Sequence, residues 1–157
     1  MSEGVEWALH SCVNLAWSGD RAVSAARLAA WHELPPAYLN KQLQALARAG
    51  IVTSTPGPKG GFRLARPLDR ISLMDVVAAV EGAEEAFRCA EIRQQGPGGG
   101  PAASYTADCA IAHAMNRAEL AWRRELAAQT LDEIRQQAER QAPEAPERLR
   151  AWLAAGR

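Results

Sequence analysis

The chain has 157 residues and a mass of 16.9 kDa, enough for one domain with a modest core. Its apolar (48%) and charged (23%) fractions exclude a disordered chain. It contains no apolar run of membrane-spanning length and no basic N-terminal leader, so we expect a cytoplasmic protein without membrane contact. The formal net charge is zero, but residues 20–66 hold seven basic and two acidic side chains, a net charge of +5. This segregation predicts an anionic partner for that segment.

A helix-turn-helix is predicted near the N-terminus. Residues 3–17 repeat apolar positions at helical spacing, and Ser24 is placed to cap a short second helix. Pro35 and Pro36 open a third helix, because proline is tolerated in a first turn, and Gly50 ends it. Two helices joined by so short a turn are typical of the helix-turn-helix motif.

A β-hairpin is predicted directly after this motif. Residues 51–55 and 62–64 have strand character, and a glycine-rich turn with Lys59 near its tip joins them. A hairpin in this position is the wing of a winged helix. The predicted fold class is therefore mainly α with a small β-wing, a winged helix-turn-helix followed by a long dimerisation helix.

The winged helix predicts a contact with double-stranded operator DNA. The recognition helix, residues 36–49, is expected to enter the major groove, while the wing contacts the minor groove or phosphates. Tyr38 has an alternative role as an anchor of the motif's core. The DNA-binding candidates are Tyr38, Asn40, Lys41, Gln44, Lys59, Gly60 and Gly61.

Further helices are predicted after the wing. Ser72 and Asp75 form a capping pair, residues 95–101 form a glycine-rich loop, and a long helix starts near Cys109. Thr130 and Glu133 form a second capping box, regular periodicity ends at Pro143 and Pro146, and Leu149, Trp152 and Leu153 are expected to dock as a tail. The predicted segments are 1–82 (winged helix), 83–108 (cluster-binding loop), 109–140 (dimerisation helices) and 141–157 (tail).

The long helix carries an apolar stripe. Such a stripe after a DNA-binding module is typical of a homodimer, in which it packs against the same helix of a second subunit, because two-fold symmetry matches palindromic operators. An intramolecular core helix is the alternative. The stripe residues are Ile111, Met115, Leu120, Trp122 and Leu126.

Cys89 and Cys109 flank the glycine-rich loop and are candidate metal ligands. Two thiolates can hold one iron of a [2Fe–2S] cluster, which needs four ligands. The candidates for the other pair are a carboxylate and the side chains of Cys12, His10, His32 and His113. Glu6 and His10 lie four residues apart on one face of the first helix. Cys12 belongs to the apolar stripe of that helix, which favours a packing role.

At these residues the chain resembles the winged-helix regulator family that includes IscR and NsrR. The matching motifs lie at residues 38–39, 46–52, 57–62, 72–77 and 81–82. Members carry iron–sulfur clusters in the loop before the dimerisation helix. This chain has Tyr105 where a middle cysteine is typical, which makes it most similar to redox-responsive members.

That resemblance implies a [2Fe–2S] cluster that bridges two subunits. It also implies that Cys89 and Cys109 come from one chain, and Glu6 and His10 from the other. Trp7, next to Glu6, is a redox-switch candidate; an ordinary interface tryptophan is the alternative.

Two other interpretations stay open on the residues alone. Two thiolates, an imidazole and a carboxylate also suit a structural zinc ion. A regulator without a cluster, in which Cys89 and Cys109 form a reversible disulfide, is the second. An enzyme is not expected, because the sequence has no nucleophile triad pattern, phosphate loop or dinucleotide fingerprint.

Overall fold

The computed structural model describes residues 1–57, 59–104, 107 and 109–155 and divides into two compact units. The first unit joins Met1–Ala83 to Leu126–Arg157, and the second unit is Glu84–Glu125. Tyr105 lies outside the described residues. Within them, no helix is long and apolar enough to cross a membrane.

Helices carry most of the described chain, which confirms the mainly α fold class. Side-chain caps fix several of their starts as predicted: Ser24 caps α2, and capping boxes open α4 (Ser72 and Asp75) and α6 (Thr130 and Glu133). The helices are α1 (Glu3–Trp17), α2 (Ala25–Trp31), α3 (Pro36–Arg48), α4 (Leu73–Glu81), α5 (Ala110–Ala128), α6 (Leu131–Gln141) and α7 (Ala145–Ala155).

The wing is an antiparallel pair of strands, β1 (Val52–Thr55) and β2 (Gly61–Leu64). Phe62 exchanges two backbone hydrogen bonds with Val23, of 2.8 and 2.9 Å, which tie the wing to the segment before α2. β1 starts one residue later than predicted, because the Ile51 amide donates to a carbonyl of α3 instead. The register pairs are Val52–Leu64, Thr53–Arg63, Ser54–Phe62 and Thr55–Gly61.

One apolar core holds the first unit together. α1, α3 and α4 pack on one another, and α6 and α7 pack against α1. The burial of large aliphatic side chains supplies the main stabilisation, about 1.5–3 kcal/mol for each one. Its largest fully buried members include Leu15, Leu28, Leu39, Leu43, Leu46, Ile51, Ile71, Leu131 and Leu149.

The C-terminal segment corrects one prediction. Pro143 and Pro146 were expected to end regular structure, but α7 runs through Ala145–Ala155. Pro146 lies in its first turn, where the missing amide hydrogen costs nothing. The expected docking is confirmed, since Leu149 and Leu153 are buried in the core.

The second unit holds an irregular segment against the N-terminal part of α5. Residues 95–101 form neither helix nor strand, as predicted, and short 3₁₀ turns flank them at Ile92–Gln94 and Ala102–Ser104. The Glu119 carboxylate accepts a hydrogen bond from the Ala86 amide at 3.0 Å, and Arg123 donates to the Glu84 carbonyl at 2.7 Å. These bonds fix the chain leading to Cys89 along the helix.

Candidate nucleic-acid interface and metal centre

One face of α3 is exposed and polar. Leu39, Leu43 and Leu46 are fully buried on the opposite face. The amphipathic pattern leaves the predicted DNA-contacting side chains in solvent, while Leu39 and Leu43 anchor the opposite face of the helix in the core. The exposed residues are Tyr38, Asn40, Lys41 and Gln44.

The wing glycines have a structural reason to be glycine. A Cβ on Gly60 would come within 2.0 Å of the Thr55 carbonyl oxygen, and one on Gly61 within 2.5 Å of the Val23 backbone. Gly61 also has a φ of +143°, a conformation that side chains rarely adopt. The two residues therefore set the shape of the turn that presents the exposed Lys59.

Trp7 of α1 contacts the start of the recognition helix. Its ring meets that of Tyr38 edge to face, with 5.1 Å between the centroids. Tyr38 is 43% exposed, so it rests on Trp7 rather than within the core. Gly4, one turn before Trp7, lets α1 approach the buried Gln42 of α3, since a Cβ there would come within 2.8 Å of the amide nitrogen of that side chain.

Glu6 and His10 are both exposed on α1, one helical turn apart. They lie on the wall of a groove of about 390 Å³ between α1 and α6. The groove is otherwise largely apolar, and Glu6 and His10 bring to its surface a carboxylate and an imidazole, two groups that commonly ligate metals. Its apolar lining includes Val5, Leu9, Val13, Trp17, Ile134 and Ala138.

Two other ligand candidates are engaged elsewhere in the first unit. Cys12 is completely buried, as predicted, and burial raises the pKa of its thiol to about 12. The side-chain amide of Asn14 lies 2.7 Å from Nε2 of His32. Burial, and to a lesser degree the nearby His10, lowers the pKa of His32. A protonated thiol and a hydrogen-bonded ring nitrogen are poor metal ligands.

Cys89 and Cys109 are brought together in the second unit. Cys109 precedes α5, and backbone amides of Ala112 and Ile111 donate to its sulfur, which lowers the pKa of its thiol. The Arg93 guanidinium and a hydrogen bond from the Cys89 thiol act in the same direction. The arrangement favours the thiolate at Cys109, the form that binds metals.

Comparison with known proteins identifies the family. The profile of the Rrf2 family, described as iron-dependent transcriptional regulators, matches residues 1–137. The chain belongs to the Rrf2 family. This confirms the winged-helix regulator resemblance seen in the sequence.

Relatives of this Rrf2 protein are transcriptional regulators, not enzymes. A helix-turn-helix regulator of Aquifex aeolicus is 37% identical over 76 residues, 48% of this chain and 53% of that protein. The regulator IscR of Cereibacter sphaeroides is 33% identical over 103 residues, 64% and 66% of the two chains. The chain thus spans about half the length of the first relative and two thirds of the second.

A solved structure supports the fold. CymR, the global cysteine regulator of Bacillus subtilis, matches with a TM-score of 0.67 and 23% identity over 87% of this chain and 95% of that one. At 23% identity, this match shows that the two proteins share a fold.

The donor set of this Rrf2 protein suits a [2Fe–2S] cluster by its chemistry. The sulfurs of Cys89 and Cys109 would supply two thiolate ligands, and His10 and Glu6 would supply a nitrogen and an oxygen ligand. Within the part of the chain that the structure describes, no three His, Cys, Asp or Glu side chains cluster as a metal site. Glu6 and His10 form one pair in the first unit, and Cys89 and Cys109 form another in the second unit.

Arg93 lies near the thiols of both cysteines, but no sequence pattern predicts that it belongs to the site. Its hydrogen bond to the Glu91 carboxylate is the main cause that raises its pKa, and the charges of Glu91 and of the two thiols act in the same direction. A Glu-x-Arg spacing is common on protein surfaces, so the pattern alone does not predict a site.

Proposed function

We propose that this Rrf2 protein is a redox-sensing transcriptional regulator in the cytoplasm, which binds operator DNA as a homodimer and is controlled by a [2Fe–2S] cluster. The single observation that carries the proposal is the pair of adjacent thiols at Cys89 and Cys109, in a family of iron-dependent regulators. When bound, the cluster supplies a one-electron couple at the site.

The proposal takes the second ligand pair from the partner subunit. Glu6 and His10 are exposed on a largely apolar groove, a surface typical of subunit contacts. The family resemblance implies the same arrangement, with Cys89 and Cys109 from one chain and Glu6 and His10 from the other. Each dimer would then hold two equivalent sites.

The exposed stripe of α5 supports the homodimer. None of the nineteen residues of α5 is buried. Its large apolar side chains are exposed as well: Ile111 is 66% exposed, Met115 44% and Trp122 37%. Ile111, Met115 and Trp122 share one face of the helix, at spacings of four and seven residues. An exposed apolar face of this kind is stabilised by covering it, and the same helix of a second subunit offers the matching surface.

α1 is the proposed link between the cluster and DNA. It carries Glu6 and His10 on its groove side, and Trp7 on the same helix contacts Tyr38 of the recognition helix. Because Gly4 brings α1 close to α3, a displacement of α1 by the ligand pair would shift the recognition helix. By reciprocity, operator DNA must stabilise whichever redox state binds it more tightly.

Anaerobic purification followed by an absorption spectrum and metal analysis tests the proposal. A coloured protein with two iron atoms and two sulfides for each site supports it. A colourless protein with one zinc ion for each chain overturns it in favour of a structural zinc site.

A disulfide switch is the second candidate, because the Cys89 and Cys109 thiols lie close enough to act on each other. A metal-free protein in which these two cysteines form a reversible disulfide would favour it over the cluster. The same preparation decides between the two, by iron content and by thiol counting before and after mild oxidation.

The proposed DNA contacts are of two kinds, phosphate contacts and base contacts, and their loss affects binding differently. Lys59→Ala should weaken binding to all sequences and reduce the salt slope by about one unit, since a lost phosphate contact releases about one counterion fewer. Asn40→Ala should instead relax preference at one base position, by about 1–3 kcal/mol. Titration of operator and scrambled duplexes at several salt concentrations measures both effects.

The control is Arg140→Ala, which removes one positive charge from an exposed position on α6, outside the basic segment. It should leave affinity and salt slope unchanged. An unchanged salt slope in Lys59→Ala, or an equal loss on operator and scrambled DNA in Asn40→Ala, would contradict the assignment.

A further inference from the structure

Arg93 joins the two ends of the glycine-rich loop in the second unit. Its Nη2 donates to the Glu91 carboxylate at 2.7 Å and to the Ala107 carbonyl at 3.2 Å, and its Nε donates to the other oxygen of Glu91. We call Glu91, Arg93 and Ala107 the arginine bridge. It connects positions fourteen residues apart, on either side of residues 95–101.

The arginine bridge holds the segments that carry the two cysteines. Glu91 comes two residues after Cys89, and Ala107 two residues before Cys109. Glu91 adopts a left-handed backbone conformation (φ +48°), uncommon for a residue with a side chain, and the 3₁₀ turn Ile92–Gln94 follows it. This sharp change of direction lets one guanidinium reach a carboxylate before the loop and a carbonyl after it.

The guanidinium fork suits this task. It is planar and always charged, and its donors point in fixed directions, so it can engage a carboxylate with two parallel bonds while a third bond fixes its orientation. The same cation acts electrostatically on both Cys89 and Cys109. Position and charge are thus combined in one side chain.

We propose that Arg93, oriented by Glu91, is the positioning residue of the cysteine pair: it holds the two thiols at chelating distance before any metal binds and places a fixed positive charge beside the bound group. The inference rests on the proposed function and adds to it a residue outside the ligand set. A site held in advance binds more tightly, because the loop is ordered before the ligand arrives.

The positioning role of Arg93 and its charge role predict different results for different substitutions. Arg93→Gln removes both, Arg93→Lys keeps the charge without the fork, and Glu91→Gln keeps the guanidinium but weakens its orientation. The matched control is Arg88→Gln, which removes an equal charge from the same unit at the exposed pair with Glu84.

The positioning role is measured with phenylarsine oxide on the reduced, metal-free protein. This neutral probe forms two As–S bonds with a pair of thiols and releases one water molecule, so its affinity reports thiol spacing with little influence from charge. We expect at least tenfold weaker binding in Arg93→Gln, Arg93→Lys and Glu91→Gln, and the wild-type affinity in Arg88→Gln. Equal affinities in Arg93→Gln and Arg88→Gln overturn the positioning role.

The charge role is measured by the midpoint potential of the iron-reconstituted protein. Reduction adds a negative charge that Arg93 stabilises, so Arg93→Gln should lower the potential while Arg93→Lys stays near the wild-type value. Equal potentials in Arg93→Gln and Arg88→Gln overturn the charge role. If the wild-type protein takes up no iron, the proposed function fails, and the arsenical affinities still decide whether Arg93 positions the thiols.

Discussion

Alanine in place of Cys109 should abolish the visible absorption of the anaerobically purified protein and reduce its iron to background. Either cysteine substitution leaves an iron with a single protein thiolate, which does not retain a [2Fe–2S] cluster. Cys89→Ala is therefore expected to give the same result. Absorption spectra and iron and sulfide assays of the two variants measure the effect.

Cys12→Ala is the matched control. Cys12 is completely buried, and burial raises the pKa of its thiol to about 12, so that at neutral pH it is protonated and packs as a small apolar side chain. Its replacement should keep the spectrum and iron content while lowering the free energy of unfolding by about 1 kcal/mol. A cluster that survives in Cys109→Ala, or disappears in a folded Cys12→Ala, would contradict the ligand assignment.

Leu149→Ala should lower the free energy of unfolding by about 2–5 kcal/mol, a large part of the total stability of a domain of this size. Leu149 of α7 is fully buried in the same core as Leu39 and Leu43, which support the recognition helix. The Arg27 side chain of α2 also stacks on Trp152 and donates to its carbonyl at 2.9 Å. The cavity left by alanine therefore loosens the unit that binds DNA.

Urea unfolding followed by circular dichroism measures this loss. Arg148→Ala, at the neighbouring exposed position of α7, should change the free energy by less than about 0.5 kcal/mol. Operator affinity of Leu149→Ala should fall as the unfolded fraction rises. A stability equal to that of Arg148→Ala would show that α7 does not contribute to the core.

Much of the fold is predictable from interactions between residues close together in the sequence. Ser24, the Ser72 and Asp75 pair, and the Thr130 and Glu133 pair cap helices through neighbours within three residues, so each signal is complete in the sequence. The wing is predictable for a similar reason at Gly60, which the nearby Thr55 backbone requires, whereas the close approach of Gly61 to the Val23 backbone joins residues far apart in the sequence. The start of α7 differs from the prediction because Pro146, a residue that usually ends helical periodicity, lies in the first turn, where proline is accepted.

Long-range partnerships were not predictable. The sequence alone keeps His32 among the ligand candidates, because only the fold brings its ring to Asn14, eighteen residues away. The bond from Arg93 to the Ala107 carbonyl likewise depends on how the loop closes. Glu6 and His10 were paired by helical spacing, which is local, whereas their proposed association with the cysteines of another subunit depends on assembly.

A mixed dimer tests the shared ligand set most directly. One chain carries Glu6→Ala and His10→Ala, the other carries Cys89→Ala and Cys109→Ala, and two different affinity tags select the heterodimer. Our account predicts one intact site, with about half the wild-type iron and the wild-type spectrum, because the cysteines of the first chain meet the glutamate and histidine of the second. A folded heterodimer without iron, together with a half-loaded heterodimer of wild-type and quadruple-variant chains, would contradict it and place all four ligands in one chain.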